Sequence, residues 1–194
     1  MADSPDIASK RNLRTIFLDR DGVLNEKMPE GRWVTEWDDF NVLPGVPEAI
    51  ARLNQKGLQV IVVSNQRGIA LGLFSVADVE AIHTQFQSML EAHGARVDAF
   101  YYCPHDRLQC NCRKPLPGMF LQARSQFPAI TAATSAMFGD SLPDIEFGRR
   151  LGMLTVYIDG DPDRQKPEAK KAAELATLRF PSLAAAVDAL LEGR

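Results

Sequence analysis

The sequence predicts an α/β fold, a doubly wound three-layer sandwich built on a mainly parallel sheet. Along most of the 194 residues, short apolar runs alternate with patterns typical of helices. The clearest run, Leu58–Val63, has no polar alternation after Gln59, which indicates a strand covered on both faces. Glycine or proline closes four of the helical patterns. Strand–helix–strand repetition favours right-handed crossovers between parallel strands.

The first half of the chain contains two predicted strand–helix pairs. Arg14–Leu18 (RTIFL) is an apolar strand candidate, and the helix Pro47–Lys56 begins with proline and is followed by glycine. Leu58–Val63 (LQVIVV) is the second strand, and Val76–His93 is a longer helix that glycine also ends. Proline at the start and glycine just past the end are typical of helix boundaries.

The second half repeats this order of elements. Strands are predicted at Asp98–Tyr102, Ser135–Phe138 and Met153–Ile158, because each run is rich in apolar, aromatic or β-branched residues. The helix Pro117–Phe127 is ended by proline, and the helix Pro143–Leu151 is ended by glycine.

The two ends of the chain differ from this repeating pattern. Residues 161–171 (DPDRQKPEAKK) are predicted as a polar link, followed by a short strand at Ala176–Phe180 and an amphipathic helix at Ser182–Leu191. Residues 1–12 are expected to form a flexible polar lead. We therefore predict one domain, residues 13–194.

Composition argues against nucleic-acid and membrane partners. The formal net charge is -3, and Lys170–Lys171 is too short a basic run for a nucleic-acid surface. No apolar run approaches the roughly 20 residues of a membrane span, and the N-terminus lacks the apolar core of a signal peptide. We expect a cytoplasmic protein that acts as a monomer on a small molecule.

All three cysteines of the chain lie within ten residues, next to one of its three histidines. In a reducing compartment, clustered cysteines are more often metal ligands than disulfide partners. Four thiolate or imidazole ligands bind tetrahedral zinc and leave no position for water, so the predicted site at 103–112 is structural. The alternative is three free thiols that are neighbours by chance. The predicted ligands are Cys103, His105, Cys110 and Cys112.

Two carboxylates, Asp19 and Asp21, follow the first predicted strand directly. In open α/β sheets, ligands bind outside the carboxyl ends of the strands. A calcium loop also begins with this spacing, but Val23 and Leu24 stand where that loop needs an oxygen ligand and a glycine. A solvated acidic turn remains the alternative for these two residues taken alone.

Further polar residues follow other strands at the same predicted edge of the sheet. Each group is a weak signal alone, because such residues are common in turns and helix caps. Together they indicate that a site is assembled there. They are Ser64 and Asn65 after the second strand, Arg113 and Lys114 after the zinc loop, and Gly139, Asp140, Ser141 and Asp144 after the fourth strand.

With these residues, the sequence resembles the haloacid dehalogenase superfamily of phosphotransferases over about residues 14–160. Its four motifs occur in order, as Asp19-x-Asp21-Gly22, then Ser64, then Lys114, then Gly139-Asp140 with Asp144. The segments SNQRGIA, YYCPH and RKPLPGM are similar to those of the heptose bisphosphate phosphatases and, less closely, the histidinol-phosphate phosphatases. The resemblance implies a Rossmann-like fold, and the gaps after Asp21 and Ser64 are too short for a large cap domain.

The resemblance also implies a reaction, the Mg²⁺-dependent hydrolysis of a small sugar phosphate through an aspartyl-phosphate. Asp19 is then the nucleophile, and Asp21 protonates the leaving group and activates water. The carboxylates of Asp19 and Asp140 and the backbone carbonyl of Asp21 are the expected Mg²⁺ ligands, and Asp144 orients them. The expected ligands of the phosphoryl group and of a second anionic or hydroxyl group are Ser64, the Asn65 amide, Lys114 and Arg113.

Several alternatives remain open from the sequence. A histidinol-phosphate phosphatase would have the same motifs, and a receiver-like signalling domain would also use aspartates and a lysine on a doubly wound sheet. A catalytically inactive zinc-stabilised module is a third possibility. Trp33 and Trp37 line a substrate entrance or cap the core, whereas His83 and His93 are predicted as packing or surface residues rather than ligands.

Overall fold

Six parallel strands form one sheet at the centre of the molecule. The computed structural model describes residues 12–192, so the predicted flexible lead at 1–12 lies outside the described residues except for its last position. The spatial order of the strands is β3-β2-β1-β4-β5-β6, and every neighbouring pair is parallel. The strands are β1 (Thr15–Leu18), β2 (Gln59–Asn65), β3 (Ala99–Cys103), β4 (Ser135–Gly139), β5 (Leu154–Ile158) and β6 (Leu178–Phe180).

Six α-helices cover the two faces of this sheet. Their bounds are α1 (Val46–Gln55), α2 (Val76–Ala92), α3 (Gly118–Gln126), α4 (Leu142–Leu151), α5 (Ala169–Leu175) and α6 (Leu183–Glu192). Short 3-10 turns lie at Trp37–Asp39, Ala132–Thr134 and Pro162–Arg164.

Alternate residues of each central strand pack into different hydrophobic clusters, one on each face of the sheet. In β1, Ile16 and Leu18 pack with α1, α2 and α6, whereas Phe17 packs with α3 and with Phe147 of α4. Side chains of a strand point alternately to the two faces, so an uninterrupted apolar run is the expected sequence of a strand buried on both sides. The predicted doubly wound three-layer sandwich is confirmed.

The prediction of residues 161–171 as a polar link is wrong in its last part, because α5 begins at Ala169. Ala169 and Ala172 pack against Ile145 and Tyr157, and this apolar contact stabilises a helix too short to form alone. The predicted strand at Ala176–Phe180 begins later, at Leu178. The other predicted elements lie within two residues of the observed bounds.

The register of the central strands places the predicted site residues at one edge. Leu18, the last residue of β1, lies opposite Val62 of β2 and Phe138 of β4. The strand order changes direction at β1 and β4, which opens a crevice at their carboxyl ends. Asp19 therefore emerges at that crevice, between Ser64 and Asp140.

Among the described residues, no large cap domain is inserted into this sheet. The connection from β1 to α1 contains a single 3-10 turn, and the connection from β2 to α2 is ten residues long, 66–75. Loops alone therefore surround the crevice. Over the described part of the chain, none of the helices has the length and apolar character needed to traverse a membrane.

Candidate active site

A cavity of about 340 Å³ opens at the carboxyl ends of β1, β2 and β4. Side chains from five separate segments of the chain line it, because parallel strands end at the same edge of the sheet. It brings together all of the residues predicted for catalysis, for phosphate binding and for Mg²⁺. They are Asp19, Asp21, Ser64, Asn65, Arg113, Lys114, Asp140 and Asp144.

Lys114 is a buried cation of this cavity, with 3% of its surface exposed. Its Nζ lies 2.7 Å from Oδ1 of Asp19 and 2.6 Å from Oδ1 of Asp144, and donates to the carbonyl of Val63 at 2.6 Å. Burial works to lower the pKa of Lys114, but the charges of Asp144 and Asp19 outweigh it and raise the pKa above its usual value. The ammonium group therefore stays charged.

Asp19 lies in an environment that disfavours a bare carboxylate. Burial raises its pKa to about 7, the negative charge of Asp144 adds to this rise, and Lys114 opposes it. A cation bound at Asp19 would favour the ionised form, which is the form that can act as a nucleophile.

Asp21 lies two residues after Asp19, and its surroundings shift its pKa in the opposite direction. Oδ1 accepts from Arg20 at 3.0 Å and from Asn25 at 3.1 Å, and Oδ2 accepts from Gln66 at 3.1 Å and from Arg20 at 3.2 Å. Burial works to raise the pKa of Asp21, but the Arg20 guanidinium and these hydrogen bonds lower it below its usual value. These contacts therefore favour the ionised form of Asp21, which is the form of a general base.

Three carboxylates could hold a metal ion, because oxygen atoms of Asp19, Asp140 and Asp144 all lie within 4.8 Å of one another. Hard oxygen ligands of this kind suit Mg²⁺. Asp144 also makes two other interactions: it pairs with Lys114 and accepts from the backbone and hydroxyl of Ser141 at the start of α4. Both oxygens of Asp144 are thus engaged, whereas Lys114 contacts one oxygen of Asp19 and Lys27 contacts one oxygen of Asp140. Asp19 and Asp140 are therefore the better placed ligands, and Asp144 orients Lys114.

The turn after β1 must pass very close to Asp140. Gly22 has a φ of +94°, and a Cβ there would lie 2.4 Å from Oδ2 of Asp140. Only glycine fits both the positive φ and this approach. The backbone of the Asp19–Gly22 turn is thereby brought against the carboxylate that follows β4.

Lys27 forms an ion pair with Asp140 on the open side of the cavity. Burial works to lower the pKa of Lys27, but the charge and hydrogen bond of Asp140 raise it above its usual value. Burial raises the pKa of Asp140, and Lys27 opposes that rise. The carboxylate cluster thus attracts a cation from its own chain.

Through its side chain, Asn65 joins β2 to the segment that follows the Cys/His loop at 103–112. Its Nδ2 donates to the carbonyl of Lys114 at 3.2 Å, and its Oδ1 accepts from the Lys114 amide at 3.0 Å. The prediction assigned the backbone amide of Asn65 to the substrate. The structure adds this second function of the side chain, which fixes where Lys114 starts.

Arg113 lies half-buried at the wall of the cavity. Burial lowers its pKa, as do the like charges of Arg107 and Arg67. Within residues 12–192, its Nη1 atom is buried without a hydrogen-bond partner, so its guanidinium can bind another group. Further cations lie around the rim of this cavity, namely Arg32, Arg67, Arg107 and Lys166.

The four predicted zinc ligands converge at the end of β3. Cys103 Sγ lies 3.8 Å from His105 Nδ1 and 3.5 Å from Cys110 Sγ, and His105 Nδ1 lies 3.2 Å from Cys112 Sγ. Ligands at zinc distances in a tetrahedron are about 3.3–3.8 Å from one another. The cluster therefore has the size and the donor set of a four-ligand zinc site.

Of the two tryptophans and two histidines considered in the sequence, one lines the cavity and three do not. Trp33 lines the cavity, whereas Trp37 stacks on Phe40 at 5.4 Å between ring centroids and packs against the core. His83 is buried and stacks on Phe100, and His93 is exposed at the end of α2. Neither histidine contributes to the cavity lining.

Four residues of the site were not predicted from the sequence. They are Arg20, Asn25 and Gln66, which surround Asp21, and Lys27, which pairs with Asp140. The position of Gln66 directly after Ser64 and Asn65 was the one available signal. Nothing in the local sequence distinguishes Lys27 from an exposed lysine.

Comparison with known proteins identifies relatives over most of the chain. The sequence model of the haloacid dehalogenase-like hydrolases matches residues 26–152. A Mycobacterium tuberculosis protein named D-glycero-alpha-D-manno-heptose-1,7-bisphosphate 7-phosphatase is 40% identical over 137 residues, which are 70% of this chain and 72% of the relative. A Bordetella bronchiseptica protein named as the corresponding beta 7-phosphatase is 36% identical over 181 residues, 93% of this chain and 99% of the relative.

A solved structure has the same fold. The D,D-heptose 1,7-bisphosphate phosphatase of B. bronchiseptica, complexed with magnesium and phosphate, superposes with a TM-score of 0.82 at 32% identity. The superposition covers 94% of this chain and all of that one.

Proposed function

This chain belongs to the haloacid dehalogenase-like hydrolases, and on that premise we propose that it removes the 7-phosphate from a heptose 1,7-bisphosphate in a Mg²⁺-dependent reaction. One observation carries the proposal: the carboxylate of Asp19 faces Ser64, Lys114 and Asp140 in a single cavity. Relatives with this activity in their names cover most of the chain.

Asp19 is the proposed nucleophile. A carboxylate oxygen of Asp19 forms a bond to phosphorus while the bond from phosphorus to the sugar oxygen breaks, which leaves an aspartyl-phosphate and a sugar alkoxide. The carboxylates of Asp19 and Asp140 and the backbone carbonyl of Asp21 would hold Mg²⁺, whose positive charge would let the two anionic groups approach.

Asp21 is the proposed general acid and base. It gives a proton to the leaving sugar oxygen and later takes a proton from the water that attacks the aspartyl-phosphate, so its final protonation state equals its initial one. The hydrogen bonds from Arg20, Asn25 and Gln66 favour the ionised form, which suits the second half of this cycle.

Three groups are proposed to bind the oxygens of the transferred phosphoryl group. They are the hydroxyl of Ser64, the backbone amide of Asn65 and the ammonium of Lys114. Donors fixed before the reaction stabilise the charge of the transition state without reorganisation, and loss of one such donor typically costs about 100- to 1000-fold in rate. Burial and the contacts with Asp144 and Val63 fix the position of Lys114, and the N–H that donates to Asp19 in the structure would turn to the phosphoryl oxygen.

Arg113 is proposed to bind the second phosphate or a hydroxyl of the sugar. Its half-buried guanidinium lies on the cavity wall with Nη1 unpaired among the described residues. Guanidinium binds phosphate through two parallel hydrogen bonds. The cations Arg32, Arg107 and Lys166 also line this cavity, and their positive charge would attract a second phosphate.

We assign a structural zinc ion to Cys103, His105, Cys110 and Cys112. The loop they would close leads directly into Arg113 and Lys114. A misplacement of catalytic groups by about 1 Å costs roughly 100-fold in rate. The zinc site would therefore act through the position of these two cations.

A substrate panel tests the proposal. Purified protein with Mg²⁺ should release the 7-phosphate from at least one anomer of heptose 1,7-bisphosphate. It should do so far more efficiently than it hydrolyses histidinol phosphate. The Asp19→Asn variant is the control for contaminating phosphatases. A preference for histidinol phosphate, or equal activity of the Asp19→Asn variant, would contradict the assignment.

A further inference from the structure

Gln66 directly follows the strand β2 and has 2% of its surface exposed. Its amide nitrogen lies 2.7 Å from Oγ of Ser64 and 3.1 Å from Oδ2 of Asp21. A side-chain amide carries two N–H groups, so it can donate to both oxygens at once. The ionised carboxylate of Asp21 only accepts hydrogen bonds, so the side-chain amide of Gln66 must turn its nitrogen, and not its oxygen, toward Asp21.

The first consequence concerns the hydroxyl of Ser64. Because Oγ accepts a hydrogen bond from Gln66, its own O–H is left to donate to another acceptor. Ser64 is buried at the wall of the cavity, where the phosphoryl oxygens of the substrate would lie. Gln66 thus orients Ser64 as a hydrogen-bond donor toward the substrate.

The second consequence concerns the position of Asp21. Its other side-chain donors, Arg20 and Asn25, belong to the same turn after β1 and would move with it. Gln66 directly follows a different strand, β2, and lies 45 positions further along the chain. Among the described side chains that donate to Asp21, Gln66 is the one that ties this carboxylate to β2.

We propose that Gln66 is a positioning residue that sets the distance between the proton donor Asp21 and the phosphoryl-binding hydroxyl of Ser64. The inference deepens the phosphatase function proposed above and rests on it. Gln66 reaches both groups with one nitrogen atom, so a displacement of either group is transmitted to the other. The proton of Asp21 is thereby held at a fixed place relative to the bound phosphoryl group.

A comparison of leaving groups tests this role. p-Nitrophenolate leaves without a proton, whereas a sugar alkoxide needs one from Asp21. The quantity to measure is kcat/KM, which includes only the steps up to release of the alcohol. Gln66→Met keeps the length of the side chain and removes both N–H groups. For this variant we expect kcat/KM for the sugar phosphate to fall about 10- to 100-fold further than for p-nitrophenyl phosphate.

Two further variants calibrate this result. Ser64→Ala should lower kcat/KM for both substrates by a similar factor, whereas Asp21→Asn should act mainly on the sugar phosphate. In Gln66→Glu the new carboxylate would accept a hydrogen bond from the Ser64 hydroxyl and repel Asp21, so kcat/KM for both substrates should fall further than with Gln66→Met. Gln122→Met, an exposed glutamine on α3, should leave both values unchanged.

The outcomes separate this inference from the proposed function. If the wild type hydrolyses both substrates and Gln66→Met lowers both equally, or neither, the positioning role is wrong and the phosphatase function stands. If the wild type hydrolyses neither substrate, the proposed function fails and the role of Gln66 fails with it. Circular dichroism and thermal melting of Gln66→Met should match the wild type, which separates positioning from folding.

Discussion

Lys114 and Asp19 form a buried ion pair, with 2.7 Å between Nζ and Oδ1. The pair connects the segment that follows the zinc loop to the turn that follows β1, which are 95 positions apart in the sequence. A buried charge is tolerated when it has a partner, and removal of one partner leaves the other uncompensated. This relationship therefore joins the stability of the fold to the electrostatics of the proposed nucleophile.

Lys114→Met should lower both activity and stability. It removes the cation between Asp19 and Asp144, two buried carboxylates that would then repel each other. We expect at least a 100-fold loss in kcat and a decrease of about 3–5 kcal/mol in the free energy of unfolding without added metal. Urea unfolding and steady-state kinetics measure the two effects. Lys56→Met, at an exposed position after α1, is the matched control, and equal stability of the two variants would contradict the prediction.

Lys27→Met should strengthen the binding of Mg²⁺. The ammonium of Lys27 pairs with Asp140, so a metal ion that binds this carboxylate must displace it. We expect the Kd for Mg²⁺ to fall by about tenfold, which corresponds to about 1.4 kcal/mol. Isothermal titration calorimetry without substrate measures this directly, with Lys170→Met on α5 as the control. Weaker Mg²⁺ binding in Lys27→Met would show that Lys27 supports the site instead of competing for it.

Cys110→Ser should release zinc and lower activity while the sheet stays folded. The variant removes one of four ligand atoms that lie at zinc-site distances, and Arg113 and Lys114 follow the loop directly. We expect kcat to fall by about 100-fold, with little change in far-ultraviolet circular dichroism.

The zinc content of the purified protein should be one ion per chain, and lower in Cys110→Ser. Asn111→Ser alters an exposed neighbour in the same loop and should retain both zinc and activity. Removal of Mg²⁺ should abolish turnover and leave the fold intact. Equal loss of structure after removal of either metal would contradict the separate functions assigned to them.

His83→Phe should reduce the loss of stability in mild acid. Burial lowers the pKa of His83 to about 3, with a further contribution from Arg20 that Asp21 opposes. Below pH 6.5 the unfolded chain binds a proton that the folded chain does not, so stability falls by about 1.4 kcal/mol per pH unit between 6.5 and 3. At pH 5 the wild type should have lost about 2 kcal/mol through this group.

The comparison is best made as a difference between the unfolding curves of the two proteins at several pH values. Asp19 has a raised pKa of about 7 and contributes with the opposite sign, because its folded form takes up the proton first. This contribution is common to both proteins and cancels in the difference. Parallel stability curves for His83→Phe and the wild type would contradict the prediction.

The fold was largely predictable from the sequence because its strands are buried on both faces. Runs such as Leu58–Val63 are entirely apolar after Gln59, and proline and glycine mark the helix ends. The helix α5 was missed because its seven residues include two lysines, and the contact of Ala172 with the Tyr157 cluster stabilises it. Such long-range packing has no signal in the local sequence.

Those residues of the candidate site that directly follow a strand were predictable from the sequence. Asp19, Ser64 and Asp140 each follow a strand that the apolar pattern identifies, so their meeting followed from the sheet. Gln66 and Lys27 act through the directions of side chains that reach across loops. Those directions depend on tertiary structure, and no periodic pattern in the sequence predicts them.

Trapping of the covalent intermediate tests the central claim most directly. The protein is mixed with substrate and Mg²⁺, quenched in acid within one turnover and reduced with borohydride, which converts an aspartyl-phosphate to homoserine. Peptide mass spectrometry should find this conversion at residue 19 and nowhere else, and Asp19→Asn should show none. Conversion at Asp21 or Asp140, or hydrolysis of the substrate with no modified aspartate, would contradict the assignment of Asp19 as the nucleophile.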